Sequence, residues 1–225
     1  YVERKPHAMR ESVGRIIETL RSVRKQKKIF LFLIAFFFFI DGVYTIMDMA
    51  TAYGSALGLD STGLLLALLV TQFVAFPFSI LFGRLAEKYD TGKLILTCIA
   101  AYMGITVFAV FMKAQWQFWV LAIFVGMFQG GIQALSRSYF AKIVPPERSG
   151  EYFGLMDICG KGASFMGTTV VGLASQAFGS INIGISAIVF LFLAGALFFM
   201  KTEHSGSESM KNQENVVMGQ QMFHD

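Results

Sequence analysis

Six long apolar blocks, at roughly 29–53, 62–83, 94–112, 117–136, 152–176 and 181–200, alternate with short polar stretches. Each is close to the ~20 residues that an α-helix needs to cross a bilayer core about 30 Å thick. The pattern predicts an all-α membrane protein with six transmembrane helices. Polar segments flank the blocks and divide the chain into three regions. Residues 1–28 are expected to form a basic linker, 29–200 the six-helix domain, and 201–225 a disordered polar tail. Within the linker, Val13, Ile16, Ile17 and Leu20 fall at i, i+3, i+4 and i+7, the spacing of an amphipathic helix.

Polar residues inside the blocks are few and unevenly placed. The first block carries Asp41 and Asp48, the second Gln72, the fourth Gln129 and Gln133, and the fifth Asp157 and Lys161. The third and sixth carry no ionisable residue beyond Cys98 and Tyr102, and read as lipid-facing supports. The order polar, polar, apolar therefore occurs twice, which suggests a 3+3 repeat. Asp41 and Asp48 are two helical turns apart and share a face. A carboxylate near a bilayer centre costs roughly 2.5–3.5 kcal/mol on insertion scales. That face must therefore meet something other than lipid.

Charge orients the bundle. Of 19 Lys and Arg, those in 1–28, the 83–93 and 137–150 loops and the tail all fall on one side if both termini share it; Lys113 alone lies opposite. The positive-inside rule makes that side cytoplasmic. The net charge of +4 sits beside the spans and predicts no nucleic-acid partner. Cys98 and Cys159 both fall within spans and predict no disulfide. Residues 1–28 contain no apolar stretch of the kind a signal peptide requires. A start at Tyr1 rather than Met predicts a fragment of a longer protein.

Depth along the helices suggests candidate chemistry. Entering near Ile29, the first helix reaches Asp41 at about 18 Å, and the fifth, entering near Glu151, reaches Lys161 at about 15 Å. An Asp41–Lys161 pair across helices is thus possible, and Asp157 with Lys161 at i, i+4 is a competing local pair. Such charges either line a solute or proton pathway or form a static pair that fixes helix register. Gln129 and Gln133, also i, i+4, are oriented either to a polar ligand or to a neighbouring helix. Gly126 and Gly130 form a close-packing motif, and Pro77 is expected to kink the second helix. His7, His204 and His224 lie outside the spans, and there is no phosphate-binding loop or CxxC motif. Nothing predicts an enzyme, a metal or a cofactor.

The segment Gly83-Arg84-Leu85-Ala86-Glu87-Lys88-Tyr89-Asp90-Thr91-Gly92-Lys93 resembles the loop motif of the major facilitator superfamily, Gly-x-Leu-Ala-Asp-Arg-x-Gly-Arg, with Glu87 for Asp, Lys88 for Arg and two residues inserted before Gly92. With residues 40–54 and 129–167, and the basic linker before them, nearly all of 1–200 is similar to the C-terminal half of that superfamily's vacuole-effluxer branch. The resemblance implies a twelve-helix, alternating-access transporter of which these spans are helices seven to twelve, with an N-terminal six-helix half as missing partner. It places Gly83, Glu87, Lys88, Gly92, Lys93 and Arg137 at a cytoplasmic gate. It implies residence in a bacterial cell membrane, or a vacuolar membrane if the source is fungal, where members are associated with amino-acid export.

The expected function is secondary active transport of a small polar solute coupled to protons. Its pathway would be lined by Asp41, Asp48, Gln72, Gln129, Gln133, Asp157 and Lys161. The alternative is a membrane sensor or scaffold that keeps the fold without transporting.

Overall fold

In a computed structural model the described residues are 18–56, 58–179 and 181–221, with only the backbone described at 181, 182 and 206–221. Six long helices follow a short helical segment over 18–25. They are α1 (Lys27–Ala56), α2 (Ser61–Lys88), α3 (Thr91–Phe111), α4 (Gln115–Ile143), α5 (Ser149–Phe178) and α6 (Ile181–Gln221), with a 3-10 turn at Pro146–Arg148. Local chemistry sets several ends. Asp60 and Asp90 cap α2 and α3 by accepting from the backbone N–H of Gly63 and Lys93, both at 2.9 Å. The Gln117 side chain caps α4 by accepting from the N–H groups of Lys113 and Ala114. Gly179, at φ 64°, ends α5 in the left-handed conformation that glycine adopts without penalty.

Each helix covers one predicted block and most run beyond it. The segment 83–93, read as a loop, is almost entirely helical: α2 continues to Lys88, and only Tyr89 and Asp90 separate it from α3. Arg137 lies inside α4 rather than at its end. The tail expected to be disordered from residue 201 is helical to Gln221, with Thr202 buried. Val13, Ile16 and Ile17 lie outside the described residues. Leu20 is exposed, whereas Thr19 and Val23 are buried where residues 19–26 dock on α5. There Thr19 donates to Glu151 at 3.1 Å, and Gln26 donates to the Tyr152 hydroxyl at 3.1 Å.

Among the described residues, five helices are long and apolar enough to cross a membrane: α1 to α4, and Ile183–Ser205 within α6. Six were expected. The exception, α5, has 30 residues, but Asp157, Lys161 and its many small residues dilute its apolarity. It is instead held by extensive contacts with α1 and α6. The packing supports the 3+3 reading. α1 packs on α5 and α6 as α4 packs on α2 and α3, while α3 packs on α6. The symmetry breaks where α5 packs well on α6 but α2 is at most marginal on α3.

The exposed helix is not the one expected. Only 17% of the α2 span is buried, against 39% for α3 and 33% for α6. Leu65, Leu69, Phe73 and Phe76 leave an apolar face of α2 open, whereas Cys98 and Tyr102 of α3 are buried. Tyr102 stacks on Phe192 of α6, with ring centroids 5.5 Å apart. Where α4 meets α2, a Cβ on Gly126 or Gly130 would collide with the backbone carbonyls of Thr71 and Ala75. These glycines allow the two backbones to touch, as their spacing suggested. The Thr71 hydroxyl adds a donor to Ala122 O at 3.3 Å across the same seam. α2 continues through Pro77 as one helix.

Candidate functional site: two polar sides of the first helix

α1 carries polar chemistry on two sides. One side is closed by α5. Asp41 is completely buried, and its Oδ1 accepts from the backbone N–H of Gly167 at 2.8 Å and from the Thr45 hydroxyl at 3.4 Å. An acceptor can reach a backbone N–H in mid-helix only if the helix presents no side chain there. A Cβ on Gly167 would overlap both Thr45 Oγ1 and Asp41 Oδ1. Gly160, Ala163 and Gly167 are buried small residues of α5; Gly167 admits the carboxylate, and Gly160 lies nearest Phe36 and Tyr44. Asp41 Oδ2 is buried and has no hydrogen-bond partner. Buried polar atoms are nearly always bonded, so this orphan oxygen is an exception that needs a reason. Asp48, farther along the same face, is exposed and accepts from the Ser164 hydroxyl at 3.0 Å.

The other side is open. Phe36, Ile40 and Tyr44 of α1 face Gln133 and Arg137 of α4 and Met156, Asp157, Gly160 and Lys161 of α5 across a groove. Its apolar floor sits beneath one carboxylate and two cationic side chains. Arg137 donates to Asp157 at 2.8 Å, with 60% and 50% of the two side chains exposed. A pair so open to solvent contributes little to stability, typically below ~1 kcal/mol, and its charges remain available to a ligand. Lys161 is exposed in the same groove.

Both expected ion pairs are corrected. Asp41 and Lys161 do not meet, because Asp41 turns into α5 while Lys161 turns into the groove. Asp157 does not pair with Lys161 either: Arg137, assigned from sequence to the gate, takes that place. The remaining pathway residues are scattered. Gln129, one turn from Gln133 on α4, is buried with its Oε1 unpartnered. Gln72 lines a separate, mostly apolar cavity with Met47, Tyr53, Thr71 and Phe118.

The gate residues do not form a cluster. Gly83, Glu87, Lys88 and Lys93 are exposed, and neither Glu87 nor Lys88 makes an ion pair among the described residues. Gly92 is buried, and a Cβ on it would press on the Glu203 carboxylate at 2.9 Å. Glu203 also accepts from the Tyr139 hydroxyl, and Lys142 donates to Thr91 Oγ1 at 2.8 Å. Together with Lys28 over the Tyr139 ring at 5.8 Å, these contacts tie α1, α3, α4 and α6 at the basic end. Sequence reasoning missed this knot because Glu203 lay in the supposed tail.

The family model described as vacuole effluxer Atg22 like matches residues 3–211. The chain belongs to this family. It is 42% identical over 215 residues to the "uncharacterized MFS-type transporter YxiO" of Bacillus subtilis, covering 96% of this chain and 50% of that protein. It is 23% identical to autophagy-related protein 22-2 of Aspergillus niger, covering 90% of this chain and 37% of the relative. With autophagy-related protein 22 of Saccharomyces cerevisiae, identity is 29% over 72% of this chain and 33% of that protein. The chain thus spans half the length of the Bacillus relative and about a third of the fungal ones. It is a multi-pass membrane protein, and its six-helix bundle is the architecture of half a transporter of the major facilitator superfamily.

Proposed function

We propose that this bundle is the C-terminal half of a proton-coupled secondary transporter for a small polar solute, and that the open groove of α1, α4 and α5 is one wall of the solute path. The observation that carries this reading is the groove itself. Arg137, Lys161, Asp157, Tyr44 and Gln133 are gathered over an apolar floor on one open side of the helix bundle. Intramembrane charges are expensive and mark solute or ion pathways. One carboxylate among two cations suits a zwitterion whose carboxylate faces Lys161 and Arg137 and whose ammonium faces Asp157. An amino acid has that chemistry. A second six-helix half would close the groove from the opposite side and meet the apolar face of α2.

Asp41 is the proton-handling group in this reading. Its carboxylate is held at one oxygen and orphaned at the other, directly behind the groove. Opening the α1–α5 contact during alternating access would expose it to water, and closing that contact would seal it again. The lysine- and arginine-rich end of the bundle faces the cytoplasm, in a bacterial membrane or a vacuolar one.

The groove is tested by binding to the full-length protein in detergent, with a panel of amino acids screened by thermal shift. A ligand found this way should lose at least about tenfold in affinity in Lys161→Gln, the usual scale for one charge-assisted contact, while Asp41→Asn still binds it. Unaltered affinity in Lys161→Gln and in Arg137→Gln would remove the groove from the solute path. Specific binding without flux into sealed vesicles would favour a sensor over a transporter.

A further inference from the structure

A second groove lies at the basic end of the bundle, away from the solute wall. It runs between the start of α1 and the far part of α6 and is lined by Lys27, Leu31, Leu197, Met200, Lys201, His204 and Ser205. The two helices are antiparallel here: Phe38 stacks on Phe198, and Gly195 abuts Phe39. Their polar ends therefore coincide. Lys27 lies one turn before Leu31, and Lys201 one turn after Leu197, so each lysine sits at the end of an apolar stripe that continues into the bilayer. The apolar part faces outward, with Leu197 57% and Met200 46% exposed.

Basic side chains cluster around the groove. Arg24 and Lys25 are exposed just upstream. Lys28 lies over the Tyr139 ring, and the neighbouring acid, Glu203, turns inward to Tyr139 and Gly92. Among the described residues no acidic side chain lines the groove. We propose that this groove is a site for an anionic phospholipid of the adjacent leaflet, its phosphate held between Lys27 and Lys201 and its acyl chains lying on Leu31, Leu197 and Met200. Basic pockets between helix ends at this depth suit lipid head groups, and lysine stems lie along apolar surface while their ammonium groups reach the interface. The exposed apolar floor is what separates a lipid from a soluble phosphate. A free anion would use the lysines and leave Leu197 and Met200 without a role.

The test uses the full-length protein in nanodiscs of phosphatidylcholine with added phosphatidylglycerol, and native mass spectrometry counts the lipid retained. The wild type should retain phosphatidylglycerol in preference to phosphatidylcholine. Lys27→Gln with Lys201→Gln should weaken retention roughly 25-fold, from about a fivefold loss per lysine near a charged surface. The corresponding pair of Lys→Arg changes and a distant Lys113→Gln should leave it intact. Leu197→Ser, at an exposed position, should also lower retention with a wild-type thermal unfolding midpoint. Equal retention of both lipids, indifference to the Gln pair or to Leu197→Ser, or displacement by an equal concentration of glycerophosphate would each overturn the proposal.

Discussion

The two polar sides of α1 differ in what surrounds them more than in what they contain. On the closed side a single carboxylate is fully buried, bound to a backbone N–H and a hydroxyl, and backed by buried small residues of α5. On the open side a carboxylate and a guanidinium pair at 2.8 Å while more than half of the arginine remains exposed. Burial makes the first arrangement sensitive to single-atom changes, because an unmade buried bond costs far more than a made one contributes. Exposure makes the second cheap to break and free to bind. Helix architecture should depend on the closed side, and solute selectivity on the open one.

The largest expected effect comes from filling the closed side. Gly167→Val should cost at least ~3 kcal/mol, since a side chain there overlaps Asp41 and Thr45 and forces α5 away from α1. Thermal unfolding of the full-length protein would show it, and a wild-type midpoint would mean the two helices are not in close contact. Asp41→Ala should cost about 1–3 kcal/mol by stranding the Gly167 and Thr45 donors. Tyr139→Phe removes the hydroxyl that binds Glu203 and should cost about 1 kcal/mol, near the value of one hydrogen bond. On the open side, a double-mutant cycle of Arg137→Gln and Asp157→Asn should yield a coupling below ~1 kcal/mol. A coupling as large as the Asp41→Ala cost would erase the distinction between the sides.

Much of the architecture was legible in the sequence. Apolar block length located all six helices, and Gly126 with Gly130 announced the tight α2–α4 seam. The residues of the site were legible as types but not as partners. A buried acid and a nearby base invite pairing on paper, yet which way each turns depends on helix rotation, and packing decides that. Asp41 found a backbone donor, which no residue letter displays. The available signal was the run Gly160, Ala163, Gly167, whose spacing marks a face able to admit a neighbour's side chain. The segment 83–93 misled for a different reason. Its charged residues read as a loop, but the Tyr89 N–H closes α2 onto Leu85 O and Asp90 caps α3, so two residues suffice between the helices.

The claim at the centre of this account is that Asp41 handles protons while the groove handles solute. Asp41→Asn is the sharpest probe, because asparagine keeps the volume and the Oδ1 acceptor for Gly167 but cannot titrate. Solute flux by the full-length protein in proteoliposomes should be measured with and without an imposed pH gradient, alongside thermal unfolding. The account predicts a near-wild-type unfolding midpoint and solute affinity with loss of gradient-driven flux. A correctly folded Asp41→Asn protein whose flux still follows the pH gradient would contradict it.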